Sequence, residues 1–205
     1  EVRDLIGARG RKNLIINGDM QVSQRGDFTT AAAITNVQYY LDRWSILELT
    51  VSGEVQEISV NQPDIDANTK SQKLTITTAA TGRLVSFQKL ENCVALGTST
   101  LTYSAWVKTN VVGAGLTVYD GLYIASSSHT GNGEWEFLST TFKLGGLQSE
   151  LWLRIGLESS IGGQLVLAIG DYIEFTDVQL ELGSVATDFE HRSYGEELQL
   201  CQRYC

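Results

Sequence analysis

Apolar and polar residues take turns along most of this chain, and that pattern restricts its fold more than any other feature. Leu101, Tyr103, Ala105 and Val107 alternate with Thr102, Ser104, Trp106 and Lys108. Leu151, Leu153, Ile155 and Leu157 alternate in the same way with Trp152, Arg154, Gly156 and Glu158. A period of two marks a β-strand with one buried face. Shorter stretches repeat it at 44–51, 55–60, 74–77, 84–87, 116–119, 122–124 and 134–142. Leu14–Ile16 reads as the opening buried strand. Leu165–Ile169, apolar throughout, reads as a central one. Near the end the phase slips: Ile173 and Phe175 are odd, whereas Val178, Leu180 and Leu182 are even. A slip of one turns every later side chain to the other face, so a β-bulge is predicted near Thr176–Asp177. With 20 glycines and 1 proline between such segments, the chain reads as many turns joining short strands. Their number fits an all-β fold, a two-sheet antiparallel β-sandwich. An α/β fold is excluded, because parallel strands need helices between them.

One helix is predicted, at the end. Ser193-Tyr194-Gly195-Glu196 has the form of a capping box. Tyr194, Leu198, Cys201 and Cys205 then recur along one stripe. The stripe is read either as a trimer seam or as a face docked on the chain's own sandwich. The organisation that follows is an arm at 1–12, a sandwich at 13–185 and a helical segment at 186–205. The start at Glu1 is read as that of a processed or cut chain. Cys93, Cys201 and Cys205 make no disulfide framework and are expected as thiols.

The formal charge is −9. Such a surface repels phosphate, so neither nucleic acid nor an anionic membrane is expected as a partner. No apolar run reaches the roughly 18 residues of a membrane helix.

Three motifs resemble those of jelly-roll carbohydrate-binding modules. They are Asn13-Leu14-Ile15-Ile16-Asn17-Gly18-Asp19-Met20 with Trp44 after it, Tyr103-Ser104-Ala105-Trp106-Val107-Lys108, and Tyr172-Ile173-Glu174-Phe175-Thr176-Asp177-Val178-Gln179-Leu180-Glu181. The run from Val178 to Cys205, above all Phe189-Glu190-His191-Arg192-Ser193-Tyr194-Gly195-Glu196-Glu197-Leu198, resembles the end of a sandwich domain in bacteriophage and prophage tail-fibre proteins. Gln38–Trp44 fits the same relatives. The resemblance implies a jelly roll in a virion appendage, tail fibre or head appendage, assembled in the bacterial host cytoplasm. It implies a homotrimer among other virion proteins, meeting host-surface glycan. It also implies a structural calcium ion tying the N-terminal turn to the last strand, with Asp19 and Asp177 at the matching positions. Gln21 stands where those modules carry a glutamate.

Sugar binding needs an aromatic platform with polar groups beside it. Trp106 and Trp152 fall on the polar faces of their strands, and Arg154 accompanies Trp152. If those strands are neighbours, the three share a shallow groove; the competing reading packs that face against a loop or another subunit. Trp44 and Trp135 are expected in the core, with Tyr119, Tyr123 and His129 in or near loops. Arg25-Gly26-Asp27 is read as a glycine turn. Enzymatic motifs are missing: there is no G-x-S-x-G, P-loop or G-x-G-x-x-G, and two histidines are too few for a histidine-rich zinc site. Glu134 with Glu136, and Glu174 with Asp177, are read as solvated strand edges rather than a glycosidase pair. The expected function is therefore non-enzymatic, multivalent glycan adhesion. The alternatives are a purely structural virion part or, third, a glycan-cleaving spike.

Overall fold

The structure is a computed structural model describing residues 11–26, 28–35, 39–59, 70–90, 93–146 and 150–203. Most of the expected arm, Asp27, the loop at 61–68 and Cys205 lie outside the described residues.

The chain forms strands β1 (Ala32–Ala33), β2 (Ser45–Leu49), β3 (Ser52–Ser59), β4 (Lys70–Thr78), β5 (Ala80–Lys89) and β6 (Thr100–Thr109). They continue as β7 (Gly115–Tyr119), β8 (Tyr123–Ser128), β9 (Trp135–Lys143), β10 (Trp152–Leu157), β11 (Leu165–Leu167) and β12 (Tyr172–Leu182). A short 3-10 turn covers Cys93–Leu96, and helix α1 covers Tyr194–Gln202. The first sheet runs β1-β3-β4-β12-β6-β9 and the second β11-β5-β10-β7-β8, with β2 also on β5. Every strand pair is antiparallel. The expected two-sheet sandwich with a short C-terminal helix is the fold.

The alternation translates directly into layers. Leu101, Tyr103, Ala105 and Val107 of β6 and Leu153, Ile155 and Leu157 of β10 lie in one core, all of them fully buried. Trp44 lies in that core, edge-on to Phe175. Its indole N–H donates to the Asn17 carbonyl at 2.8 Å, which answers the one polar atom this ring brings inside.

The predicted bulge is present. Thr176 pairs with Trp106 and Gln179 with Ser104, so β12 carries one extra residue there. Asp177 takes it up at φ 50°, in the left-handed region that aspartate tolerates better than most residues.

Four expectations need correction. Leu14–Ile16 forms no ladder strand. Its backbone is satisfied by the Leu180 carbonyl and the Gln88 side chain, while Ile15 plugs the core. The apolar run at 165–169 is not central: β11 is an edge strand, and Val166 and Ile169 are 84% and 72% exposed. An apolar run shows that a strand is compatible with burial, not which neighbours it receives. Trp135, at the mouth of β9, is half-buried rather than core. In α1 the capping box forms as read, with Ser193 accepting from the Glu196 N–H. The buried face, however, is Glu197, Leu200 and Cys201; Tyr194 is exposed. Among the described residues, this face lies on the chain's own N-terminal segment through Glu197, which accepts the Asn17 N–H. No helix of the described residues is long and apolar enough to cross a membrane.

Candidate functional site

The outward face of the first sheet carries the candidate site. Trp106 on β6 stands opposite Phe137 on β9 and Thr176 on β12. The two rings meet edge to face, 5.5 Å between centroids. Phe137 is 46% exposed, a large apolar ring left to solvent on a strand whose core face is already filled. Beside this pair opens a cleft of about 420 Å³. Ser104, Asp177 and Gln179 form its polar floor, and the segment from Ala186 to Phe189, with His191, forms its far wall. The bulge has a direct consequence here: it turns Asp177 into the cleft lining.

The wall is held by an unusual density of polar contacts. Glu181 accepts the backbone N–H of Thr187 at 2.8 Å and its hydroxyl at 2.7 Å. The Gln179 carboxamide donates to the Thr187 carbonyl at 3.2 Å and accepts the Glu190 N–H at 2.9 Å. The Lys12 ammonium donates to the Thr187 hydroxyl at 2.6 Å and to the Asp188 carbonyl. Glu190 then takes the N–H groups of Lys12 and Asn13. Burial would raise the Glu190 carboxyl, but these two donors and Arg192 outweigh it and hold it below the usual range. Arg192 donates to the Asn13 and Ile15 carbonyls and pairs with Glu197 at 3.2 Å.

The opening motif and the closing motif are therefore one structure. The Asn13 side chain bonds the Val178 carbonyl and the N–H groups of Ile15 and Leu180. The Asn17 side chain fastens the turn to Val22 and Asp42. Asn13 and Asn17 of the opening motif and Gln179 of the closing one each satisfy backbone groups of the other motif or of the segments packed against it. An arrangement of this kind is costly to leave half-formed.

The expected groove of Trp106, Trp152 and Arg154 does not exist as one surface. Trp106 is on the first sheet and the other two on the second, so the strands are not neighbours. Trp152 stacks on Phe87 at 4.7 Å, meets Tyr119 edge-on and lies under the Lys89 ammonium at 4.0 Å. Arg154 is 3% exposed. It bonds Glu158 at 2.6 Å and the Tyr123 hydroxyl at 2.7 Å, with Arg83 reaching the same hydroxyl. Burial raises the Glu158 carboxyl against the opposing pull of Arg154. His129 is a loop brace: its ring accepts the Gly131 N–H and meets the Glu134 carbonyl. Glu136 is engaged by Thr130. The sequence offered no sign that Phe137 belongs to the site; the cross-strand register alone puts it beside Trp106.

The turn carrying Asp19 does meet the bulge carrying Asp177. The Val178 N–H donates to the Gly18 carbonyl at 2.9 Å, and a Cβ on Gly18 would stand 2.2 Å from the Val178 carbonyl oxygen. Asp19 is 3% exposed, and its Oδ1 is enclosed without a hydrogen-bond partner. Burial, then the Glu197 charge, pushes its carboxyl up to about 6, against the backbone N–H groups of Asp19 and Gln21 and the influence of His191. A hard cation would satisfy that oxygen. The donor set is nonetheless thin: among the described residues no three His, Cys, Asp or Glu side chains converge. The Gln21 amide also points a donor at Asp19 Oδ2, at 2.7 Å. A calcium ion here would lean on Asp19, Asp177 and backbone carbonyls.

Neither a protein-family model nor a curated protein matches the sequence. The fold and cleft define a jelly-roll sandwich with a solvent-facing aromatic site. In shape the chain is similar to the enzymatically active domain of tailspike protein 4 of bacteriophage CBA120, at 14% identity and a TM-score of 0.54, over 83% of this chain and 21% of that one. It thus spans about a fifth of that chain. It also aligns with the carbohydrate-binding module TmCBM61 in complex with β-1,4-galactotriose, at 14% identity and a TM-score of 0.47, over 84% and 100% of the two chains. A third alignment is with the tripod from the baseplate of bacteriophage Tuc2009, at 13% identity and a TM-score of 0.41, over 90% and 59%.

Proposed function

We propose that this chain is a non-enzymatic adhesion module of a bacteriophage appendage that binds host-surface glycan in the cleft beside Trp106. The observation that carries the reading is the cleft itself. A pyranose needs an aromatic ring for its C–H face and hydrogen-bonding groups at the ring edge. Trp106 and Phe137 supply the first, and Ser104, Asp177 and His191 the second. The clasped wall supports it too, because a preformed site spends less binding energy on ordering itself. In this reading the module is a homotrimer among other virion proteins, and three weak sites gain avidity by linkage. A calcium ion between Asp19 and Asp177 would brace the bulge that turns Asp177 into the cleft.

The experiment is Trp106→Ala, assayed on a glycan array and on host cells, with mass by light scattering as the control. The expected result is at least a tenfold loss of binding, on the order of one stacked ring, at unchanged mass. Unchanged binding would refute the reading. Release of reducing sugar from host polysaccharide would refute its non-enzymatic part.

A further inference from the structure

We infer that the site takes a stretch of linked pyranoses rather than a single sugar, with a second stacking position at Trp135. The inference rests on the glycan-binding reading above and extends it from one ring to a chain. Cross-strand register carries it. Trp106 pairs with Phe137, and two residues along the same strands Lys108 pairs with Trp135. Side chains two apart on a strand share a face. Trp135 therefore stands on the outward face with Trp106 and Phe137, about 7 Å further along the strands. The cleft lining ends on this side with Trp106 and Phe137, and Trp135 continues the row beyond it.

Trp135 is also a ring still free to stack. It is half-buried, so part of the indole meets solvent. Among the described residues no other aromatic ring or cation lies over it. Trp152, by contrast, is already stacked on Phe87 and lies under Lys89, and Trp44 is in the core. Polar groups border the second position as they border the first. Lys108 stands between Trp135 and Glu174 in the sheet and brings three N–H donors. The Tyr172 hydroxyl reaches the same end of β9: a Cβ on Gly133 would stand 3.8 Å from it and, its chain neighbours aside, meet nothing else within 4 Å. The sheet is thus open there, with a hydroxyl at its margin. Lys73 lies over the Tyr172 ring at 4.6 Å, so Tyr172 borders the track and Trp135 is its platform. A pyranose on Trp106 leaves Trp135 to later residues of the same chain. Once the first ring is seated, the second binds as an intramolecular step, and affinity grows with chain length.

The test is titration calorimetry with fragments of two, four and six sugars, released by mild acid from host-surface polysaccharide and separated by size. The wild-type protein should bind the longest fragments roughly fivefold more tightly than the shortest, the scale of one stacked ring. Trp135→Ala should lose that gain and bind the shortest fragments as the wild type does. Trp135→Phe, which keeps a ring, should retain most of it. Equal melting temperatures check the fold, and Trp135→Leu, apolar but without a π-face, repeats the measurement if the alanine variant melts lower. Trp106→Ala should weaken every length. An affinity independent of length overturns the inference, as does a gain that survives Trp135→Ala and Trp135→Leu, or an equal loss at all lengths from Trp135→Ala. Each of these leaves adhesion standing as long as Trp106→Ala weakens binding. If the wild-type protein binds neither the fragments nor the intact polysaccharide, the adhesion reading falls and the inference with it.

Discussion

Replacing Asp19 by asparagine should stabilise the protein at neutral pH and do nothing in acid. The carboxyl is 3% exposed and is pushed from 3.8 to about 6, chiefly by burial and then by the Glu197 charge. Between those two values the folded chain holds a proton that the unfolded chain has lost. Its raised value therefore costs nothing below about pH 4; the cost grows as pH rises and is complete above about 6. At about 1.36 kcal/mol per pH unit the full cost is about 3 kcal/mol. Relaxation and water penetration reduce buried charge terms, so about half of that is the gain expected from asparagine. The neutral side chain keeps an acceptor for the Gln21 amide and removes the charge facing Glu197. For a chain of this size the gain corresponds to roughly 3–6 °C in melting temperature. The assay is urea and thermal unfolding of both proteins from pH 4 to 8, in chelator so that no calcium contributes. A difference that stays constant with pH, or a loss of stability at pH 8, would refute the reasoning.

The clasp, the turn and the cation site each give a further expectation. Arg192→Ala leaves Glu197, 4% exposed, without its cation. It also frees the Asn13 and Ile15 carbonyls, so a loss of about 3–5 kcal/mol should appear in the urea midpoint. Gly18→Ala drives a methyl group against the Val178 carbonyl oxygen, which is backbone and cannot turn aside. The turn should lift from the bulge at a cost of about 2 kcal/mol or more. The environment of Trp44, bonded to Asn17, should report this as changed fluorescence; an unchanged spectrum and melting curve would contradict the close approach. Millimolar calcium at pH 7.5 should raise the melting temperature of the wild-type protein but not of Asp177→Asn. An equal response from both would remove calcium from the bulge.

Much of the fold was legible because burial of one strand face writes itself into sequence with a period of two. That held for β6 and β10, for the slip that marks the bulge, and for the capping box at Ser193. The pattern was silent wherever the answer lay in neighbours. Leu165–Ile169 is as apolar as a central strand, yet β11 has only β5 beside it. Trp106 and Trp152 fall alike on the polar faces of their own strands and end on different sheets. Of the residues lining the cleft, the sequence had marked Trp106 as a sugar platform and Asp177 only as a metal ligand. Phe137 was not marked, because only cross-strand register sets it beside Trp106, and the 186–191 wall was not, because it is held by side chains of β12 and by Lys12 from the other end of the chain.

Taken alone, the order of residues determined local outcomes: which strands have a buried side, where β12 must gain a residue, and where α1 begins. These depend on partners a few positions apart, and the chemistry of nearby residues suffices. Tertiary structure decided that Asn13–Met20 and Gln179–Glu197 would become each other's hydrogen-bonding partners across nearly the whole chain. It also decided which tryptophan would face a cleft. Those outcomes follow from strand order and sheet closure, where backbone groups buried by packing must find partners from whatever segment arrives beside them.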